Sequence, residues 1–269
     1  MSPVLTAVFR RLVPKPCRRW LRQTFGWRWF HGDFGTWAEA RSAARGYDDG
    51  ANVARAVAAA RSVRRGEAAW ERDGTLFAVG EHHRPLVEAL QECLRGRGSL
   101  DVVDVGGALG STWWQHRAAF LGHRVRWRIV EQPSYVDAGQ REFADDVLSF
   151  HARLDEALGN TAEQTALLSC VLSYVEHPHA MLSSVTGAGF GHIILDRTPF
   201  ITGNRDKLVV QQTPPALGGG SYPCWLFVRE NVMRHFQSHY DLVGEWPGFD
   251  DPAAGVEYRG LWFRKKEMR

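Results

Sequence analysis

Long apolar runs are missing from this chain of 269 residues. The longest, Thr165 to Val171 and Phe190 to Leu195, fall far short of the roughly 20 residues that a membrane-crossing helix needs, so no transmembrane helix is expected. Cysteine is scarce as well: Cys17, Cys93, Cys170 and Cys224 are scattered without a C-x-x-C spacing. That removes a zinc ribbon and a dense disulfide framework and fits a reducing, cytoplasmic setting. Secretion is not expected, because Arg10 and Arg11 break the apolar stretch near the start and Pro14 and Pro16 follow. There is no G-x-S-x-G elbow and no P-loop lysine, which argues against the serine-hydrolase and triphosphatase chemistries that need them. None of the histidines at 82, 83, 177 and 179 stands in an H-x-x-x-H spacing, and neighbouring histidines rarely face one ion, so no metal is expected.

What is there supports one well-packed domain: 44% hydrophobic and 23% charged residues over this length bury a full core. The net charge of +3 hides an asymmetry. Residues 1–28 hold Arg10, Arg11, Lys15, Arg18, Arg19, Arg22 and Arg28 and no acid, leaving 26 basic against 30 acidic residues elsewhere. Such a body does not offer a broad nucleic-acid face. The basic segment is interleaved with Leu5, Val8, Phe9, Trp20 and Phe25. It reads either as a peripheral contact with an anionic membrane surface or as a helix packed on the domain with a solvated basic face.

Three parts are expected along the chain: the basic amphipathic segment over 1–28, a helical cap over 29–98, and an α/β core over 99–269. In the core, short β-rich runs at 100–105, 125–131, 147–151, 166–171 and 189–196 alternate with helical patterns near 111–121, 133–144, 153–158 and 178–186, the rhythm of a parallel sheet wound with crossover helices. A Pro- and Gly-rich insertion at about 198–228, with one short strand at 207–212, reads as a substrate loop. A helix over 229–238 and two strands, 240–246 and 257–264, close the chain as an antiparallel pair at the sheet's edge. Within the cap, helices are expected at 51–63 and 85–94.

The first core strand runs into Asp104-Val-Gly-Gly-Ala-Leu-Gly110. A glycine-rich turn between strand and helix lets backbone approach a ligand closely. Glu131, 21 residues past Gly110 at the end of the second strand, falls beside that turn, where a carboxylate can accept hydrogen bonds from ribose hydroxyls. A nicotinamide-dependent oxidoreductase shares this logic but carries G-x-G-x-x-G, whereas here Asp104 precedes Gly106, Gly107 and Gly110 in a D-x-G-x-G-x-G pattern with Ala108 at the middle glycine. Asp104 is expected to hold the loop's amides and a cofactor ammonium through charge-assisted bonds.

Over about residues 27–264 the chain resembles a methyltransferase family grouped with a leptospiral prototype and often found among genes for surface polysaccharides. The resemblance rests on Trp29-Phe-His-Gly-Asp-Phe34, Gly46-Tyr-Asp48, Glu71-Arg-Asp73, Asp104 to Ser111, Val130-Glu-Gln-Pro133, Leu172-Ser-Tyr-Val175, Asp196-Arg-Thr-Pro199, Gln211-Gln212 and Ser221-Tyr-Pro-Cys-Trp225. Ser173 stands where the family has glutamine, and Gly218 to Gly220 where a bulkier stretch is usual. The resemblance implies a class I fold, a mostly parallel seven-stranded Rossmann-like sheet with helices on both faces. It also implies S-adenosylmethionine as cofactor, held by Asp104, Gly106, Gly107, Gly110, Glu131, Gln132 and Ser169, and a small-molecule acceptor such as a sugar or nucleotide-linked intermediate of glycan or natural-product assembly. A catalytically silent cofactor-binding or scaffold protein is the alternative.

In that layout the loop after the fourth core strand faces the methyl group. Tyr174 there either walls the cofactor, an aromatic face favouring a sulfonium, or positions the acceptor, or is a packed core ring. His177 is either a general base or a capping or surface histidine before Pro178. Arg197 either holds an anionic acceptor or pairs internally with Asp196. Tyr222, with Trp225, either stacks on the acceptor or pins the insertion.

Overall fold

The computed structural model describes residues 29–45, 49–80, 82–159, 163–213, 220–248 and 255–267. The basic segment over 1–28, the Gly46-Tyr-Asp48 motif and glycines 218 and 219 lie outside them. In chain order come β1 (Phe30–Phe34), α1 (Trp37–Ala43), α2 (Asp49–Arg64), β2 (Trp70–Arg72), β3 (Thr75–Phe77) and α3 (Arg84–Leu94). The core follows as β4 (Ser99–Val105), α4 (Ser111–His116), β5 (Arg124–Val130), α5 (Pro133–Glu142), β6 (Leu148–His151), α6 (Leu154–Ala157), β7 (Thr165–Ser169), α7 (Pro178–Gly187) and β8 (His192–Ile201). The chain ends with β9 (Lys207–Gln212), β10 (Ser221–Val228), α8 (Arg229–Met233), β11 (Tyr240–Pro247) and β12 (Val256–Lys265).

Seven strands of a ten-stranded sheet run in the order β6-β5-β4-β7-β8-β12-β11, with β12 antiparallel to its neighbours and the rest parallel, and β10, β9 and β1 join through the end of β8. The expected architecture, a mostly parallel sheet finished by an antiparallel pair, is therefore present. Its sequence logic is visible strand by strand. β4, in the middle, is buried from Leu100 to Val105, as a strand covered on both faces must be. β5 alternates, with Val125, Trp127 and Ile129 inward. Its Arg126 and Arg128 turn to the other face, where both pair with the buried Asp101 of β4. α3 buries Leu86, Val87, Leu90, Cys93 and Leu94 on one stripe and begins with Pro85 in its first turn.

Two apolar layers sandwich the sheet. On one face α2, α3, α4 and α5 pack Leu90, Phe120, Phe143 and Phe150 around Trp127. On the other, α6, α7 and α8 pack Leu182, Phe236 and Phe263 with Leu168 and Ile193. Each such side chain contributes about 1.5–3 kcal/mol by leaving water.

Three local structures differ from the sequence reading. The region over 29–98 holds strands as well as helices. β1 pairs antiparallel with β9, and β2 pairs with β3 across Asp73-Gly74, both of which have positive φ, as a tight hairpin turn requires. The insertion over 198–228 is largely sheet: β8 runs on to Ile201, and β10 pairs with β9 and, through Phe227 and Val228, with the end of β8. Pro223 is tolerated in β10 because, at that position, only β9 flanks it among the described strands. The helix expected from 111 to 121 turns 3-10 after His116, and the one expected from 229 ends at Met233. No helix among the described residues is long and apolar enough to cross a membrane.

Helix α5 approaches β6 so closely that a Cβ on Gly139 would lie 2.3 Å from the Phe150 ring. Gly139→Val is expected to cost about 1–3 kcal/mol by overpacking, whereas Gly187→Ala, with nothing within 4 Å, is expected to stay within about 0.5 kcal/mol. Urea denaturation of both variants checks this.

Candidate functional site

The carboxyl ends of β4, β5, β7 and β8 meet along one edge of the sheet, where open α/β sheets bind ligands. Left-handed backbone concentrates there. Among the described residues, four non-glycines have positive φ, Asp73, Ala108, Cys170 and Arg197; Ala108 and Cys170 lie just past the ends of β4 and β7, and Arg197 lies within β8. Each costs on the order of 1 kcal/mol or more relative to ordinary backbone, so packing must hold them.

After β4, Gly106 has φ 74° and its N–H bonds the carbonyl of Val130 at 2.8 Å, lashing the turn to β5. Side chains are shut out on both sides. A Cβ on Gly106 would come within 2.3 Å of Val171, and one on Gly107 within 2.6 Å of the Asp104 carboxylate. Ala108 follows with φ 50°, and Gly110, φ 88°, leads into α4 after bonding back to Gly107 at 2.9 Å. Glu131 Oε1 accepts the Ala108 N–H at 3.2 Å, and Oε2 the N–H of Gln132 at 2.8 Å. Gln132 itself is exposed at the head of α5. Burial raises the Glu131 carboxyl above its ordinary range, against the pull of those two N–H groups.

Asp104 does not take the loop amides: it lies in β4 beneath Gly107, and Glu131 reaches the Ala108 amide instead. Its Oδ2 accepts from Trp127 Nε1 at 2.9 Å. Burial, partly offset by that indole and reinforced by the Glu131 charge, pushes Asp104 up to about 7. A buried carboxylate so poorly compensated fits an incoming cation.

Asp196 is the opposite case. Two residues of β8, Asp196 and Arg197, face one residue of β12, Gly260, between the Leu195–Leu261 and Thr198–Arg259 pairs. This bulge re-aims Asp196. A Cβ on Gly260 would lie 2.0 Å from Trp246 Nε1, so glycine there admits the indole, which donates to Asp196 Oδ1 at 3.0 Å. Ser169 Oγ donates to Oδ2 at 3.1 Å, and His83 Nε2 meets Oδ1 at 3.1 Å. Burial would raise Asp196, but His83, Trp246 and the Arg197 charge overturn it and hold the carboxyl below its usual range. Ser169, expected at the cofactor, is thus engaged with Asp196.

Tyr174 and Tyr222 come together from the loop after β7 and from β10. Their rings meet edge to face at 5.2 Å, Tyr174 OH donates to Gln211 Oε1 at 3.0 Å, and Tyr222 OH shares a bond with Thr213 Oγ1 at 3.1 Å. Burial raises Tyr174 far above its ordinary value and Tyr222 to about 12, so both act as neutral hydroxyls. His177 stands exposed at the head of α7 without a capping bond.

Sequence reasoning gave no role in this site to three contributors. His83 precedes a helix that leads antiparallel into β4, and that topology puts it at the sheet's functional edge. Trp246 comes from β11, distant in sequence. Glu71, buried on β2, accepts from Ser111 Oγ and from the Gly74 N–H at 3.1 Å, stapling the hairpin to the head of α4. His82 Nδ1 faces His116 Nδ1 at 3.3 Å, and burial drives His116 down to about 3, keeping it neutral. Among the described residues no three His, Cys, Asp or Glu side chains are grouped to hold a metal.

Two outcomes are expected. Ala108→Gly relieves left-handed strain and raises stability by about 0.5–1 kcal/mol; a loss on chemical denaturation would contradict the loop geometry. Because folding raises Asp104, its contribution to stability is fully present below about pH 4 and is lost as pH rises through about 7. Asp104→Asn is expected to remove that decline from the melting temperature measured across pH 4–8.

No protein-family model and no curated protein matches the chain. Among solved structures it is similar to a Burkholderia thailandensis 1,6-didemethyltoxoflavin-N1-methyltransferase holding its namesake compound and S-adenosylhomocysteine (19% identity, 88% of this chain and 93% of that one, TM-score 0.45). It is also similar to the [4+2]-cyclase SpnF (12%, 81% and 94%, 0.49) and to the glycopeptide N-methyltransferase MtfA with S-adenosylhomocysteine (14%, 67% and 89%, 0.44). Likenesses of this size carry no inference about activity.

Proposed function

We propose that the chain is an S-adenosylmethionine-dependent methyltransferase acting on a small-molecule acceptor. The observation that carries this reading is the pairing of a left-handed glycine turn with two poorly compensated acids, Asp104 raised to about 7 and Glu131 raised by burial. The donor set fits the cofactor. The ammonium of its methionyl arm would lie against Asp104, its ribose hydroxyls would donate to Glu131, and Gly106, Gly107 and Gly110 would leave the backbone approachable, with Gln132 at the rim. When bound, the cofactor supplies an electrophilic methyl group on a sulfonium.

The chain's own residues then have the task of aligning an acceptor and excluding water. In this reading Tyr174 and Tyr222, whose rings meet edge to face with both hydroxyls hydrogen-bonded, would wall the acceptor, and the Arg197 charge beside Asp196 would suit an anionic acceptor. The resemblance to the methyltransferase family found among polysaccharide genes favours a sugar or nucleotide-linked acceptor. The part of the chain from residue 99 serves as the cofactor core in this proposal, and the β9–β10 insertion as its acceptor wall.

Calorimetry tests the reading. The full chain is expected to bind S-adenosylmethionine and S-adenosylhomocysteine but not NAD. Asp104→Ala and Glu131→Ala are each expected to weaken binding by about tenfold or more, the size of a lost charge-assisted bond, with unchanged circular dichroism. Binding of NAD in preference, or unaltered affinity in both variants, would overturn the assignment.

A further inference from the structure

A chain of hydrogen bonds that the cofactor reading does not use joins three elements near the β9–β10 insertion. His179 stands in the first turn of α7, Asp206 between β8 and β9, and His235 just past the end of α8. His179 Nε2 lies 2.6 Å from Asp206 Oδ2, and His179 Nδ1 lies 2.9 Å from His235 Nε2. His235 Nδ1 in turn lies 3.3 Å from Ser183 Oγ, one turn further along α7. The two rings are inclined by 19° with centroids 5.1 Å apart. The nitrogen–nitrogen distance plus the two ring radii accounts for that separation, so the imidazoles meet head-on and not face to face.

Asp206 sets the direction of the chain. Its Oδ1 accepts the Val228 N–H at 2.7 Å and Asn231 Nδ2 at 3.1 Å. Burial would raise its carboxyl, but His179, the Val228 N–H and Asn231 overturn that and hold it below the usual range. An ionised carboxylate only accepts, so His179 Nε2 carries a proton. The facing nitrogens, His179 Nδ1 and His235 Nε2, then need one proton between them. With both rings neutral His235 donates, and Ser183 donates to His235 Nδ1. One added proton leaves a single proton between the facing nitrogens and puts a positive charge on the pair, next to Asp206. A second added proton sets two N–H donors against each other, and the bond is lost.

We propose that His179 and His235 form a proton-counting joint, which ties α7 to the turn after α8 while the pair carries at most one positive charge and lets go when both rings are charged. His179 stays on Asp206 in either state, so His235 is the ring that leaves. Its surroundings add no second acid to the pair: Arg205 is turned to Asp33 of β1, Arg229 of α8 to Glu245 of β11, and Arg234 and His177 are exposed. The Phe227 ring of β10 stands edge-on to His179 at 6.2 Å. Burial, reinforced by the His179 charge and opposed by Asp206, holds His235 below the ordinary histidine value. His179 is 41% exposed at its side chain, so protons reach the pair from solvent. Since folding lowers His235, its contribution to stability is fully present above about pH 6.5, the ordinary value, and is lost as pH falls through the folded one.

The test uses the full chain labelled with nitrogen-15 in its histidines. A scalar coupling across the bond from His235 Nε2 to His179 Nδ1 is expected at pH 7.5, and it is expected to vanish about one pH unit below the second midpoint of the pair. In His179→Gln the His235 midpoint is expected to rise by about 0.7 pH unit or more, the repulsion of two charges about 4 Å apart even when screened by water. His235→Gln keeps an amide that can donate to His179 Nδ1 but cannot be charged. Melting temperatures are therefore expected to fall less between pH 7 and pH 5 in this variant than in wild type; other buried histidines, such as His116 and His192, act equally on both. No coupling at pH 7.5, a coupling that survives below the second midpoint, or a His235 midpoint unmoved in His179→Gln would overturn the joint. So would an equal fall in melting temperature in wild type and His235→Gln.

Discussion

Two carboxylates buried at the same edge of a parallel sheet, held in opposite ways, organise this molecule. Burying a charge is costly unless hydrogen bonds and opposite charge replace the lost water. Asp196 receives that replacement from the head of α3, the end of β7 and an indole from β11, so it stays ionised and ties three distant elements to β8. Asp104 receives the Trp127 indole while Glu131 crowds it with like charge. It is the less compensated of the two, and in the proposed reading it is the acid that a ligand's positive charge would meet.

The same edge stores backbone strain. Ala108, Cys170 and Arg197 adopt left-handed angles, the first two in the loops that follow β4 and β7 and the third in the bulge within β8. The lashings that hold them are specific: the Glu131 carboxylate on the Ala108 N–H, the Asp196 carbonyl on the Cys170 N–H at 2.9 Å, and the bulge opposite Gly260. Strain of this kind persists where the surroundings over-determine it, and it aims side chains at a shared space. The geometry of Asp196, His83 and Trp246 follows from that bulge, since an unbulged β8 would point Asp196 elsewhere.

The core was legible because its signals are local. Continuous apolar runs such as Leu100 to Val105, alternation in β5 and proline-led helices at Pro133 and Pro178 place strands and helices to within a few residues. The glycine turn and Glu131 were legible for the same reason, through a spacing that strand and helix lengths dictate. What could not be read depends on pairing between distant segments. β1 is five residues long and gains its partner from β9, 177 positions on in the Phe30–Phe34 and Lys207–Gln212 pairing taken from their first residues. Pro223 masked β10, which tolerates proline because of its place in the sheet. The Asp73-Gly74 hairpin did carry a local signal, the dipeptide of a tight turn, which the helical character of its surroundings obscured. His83 and Trp246 belong to the site through tertiary contact with Asp196, and nothing adjacent to them in sequence marks it.

The central claim is that Asp104 waits for a cation, and its carboxyl titration measures that directly. Carbon-13 spectra of the aspartate carboxyls, followed against pH with and without S-adenosylhomocysteine, are expected to give Asp104 a midpoint near 7 in the free protein and a clearly lower one in the complex, because the ligand's ammonium favours the ionised form. A midpoint that the ligand leaves unmoved would contradict the account.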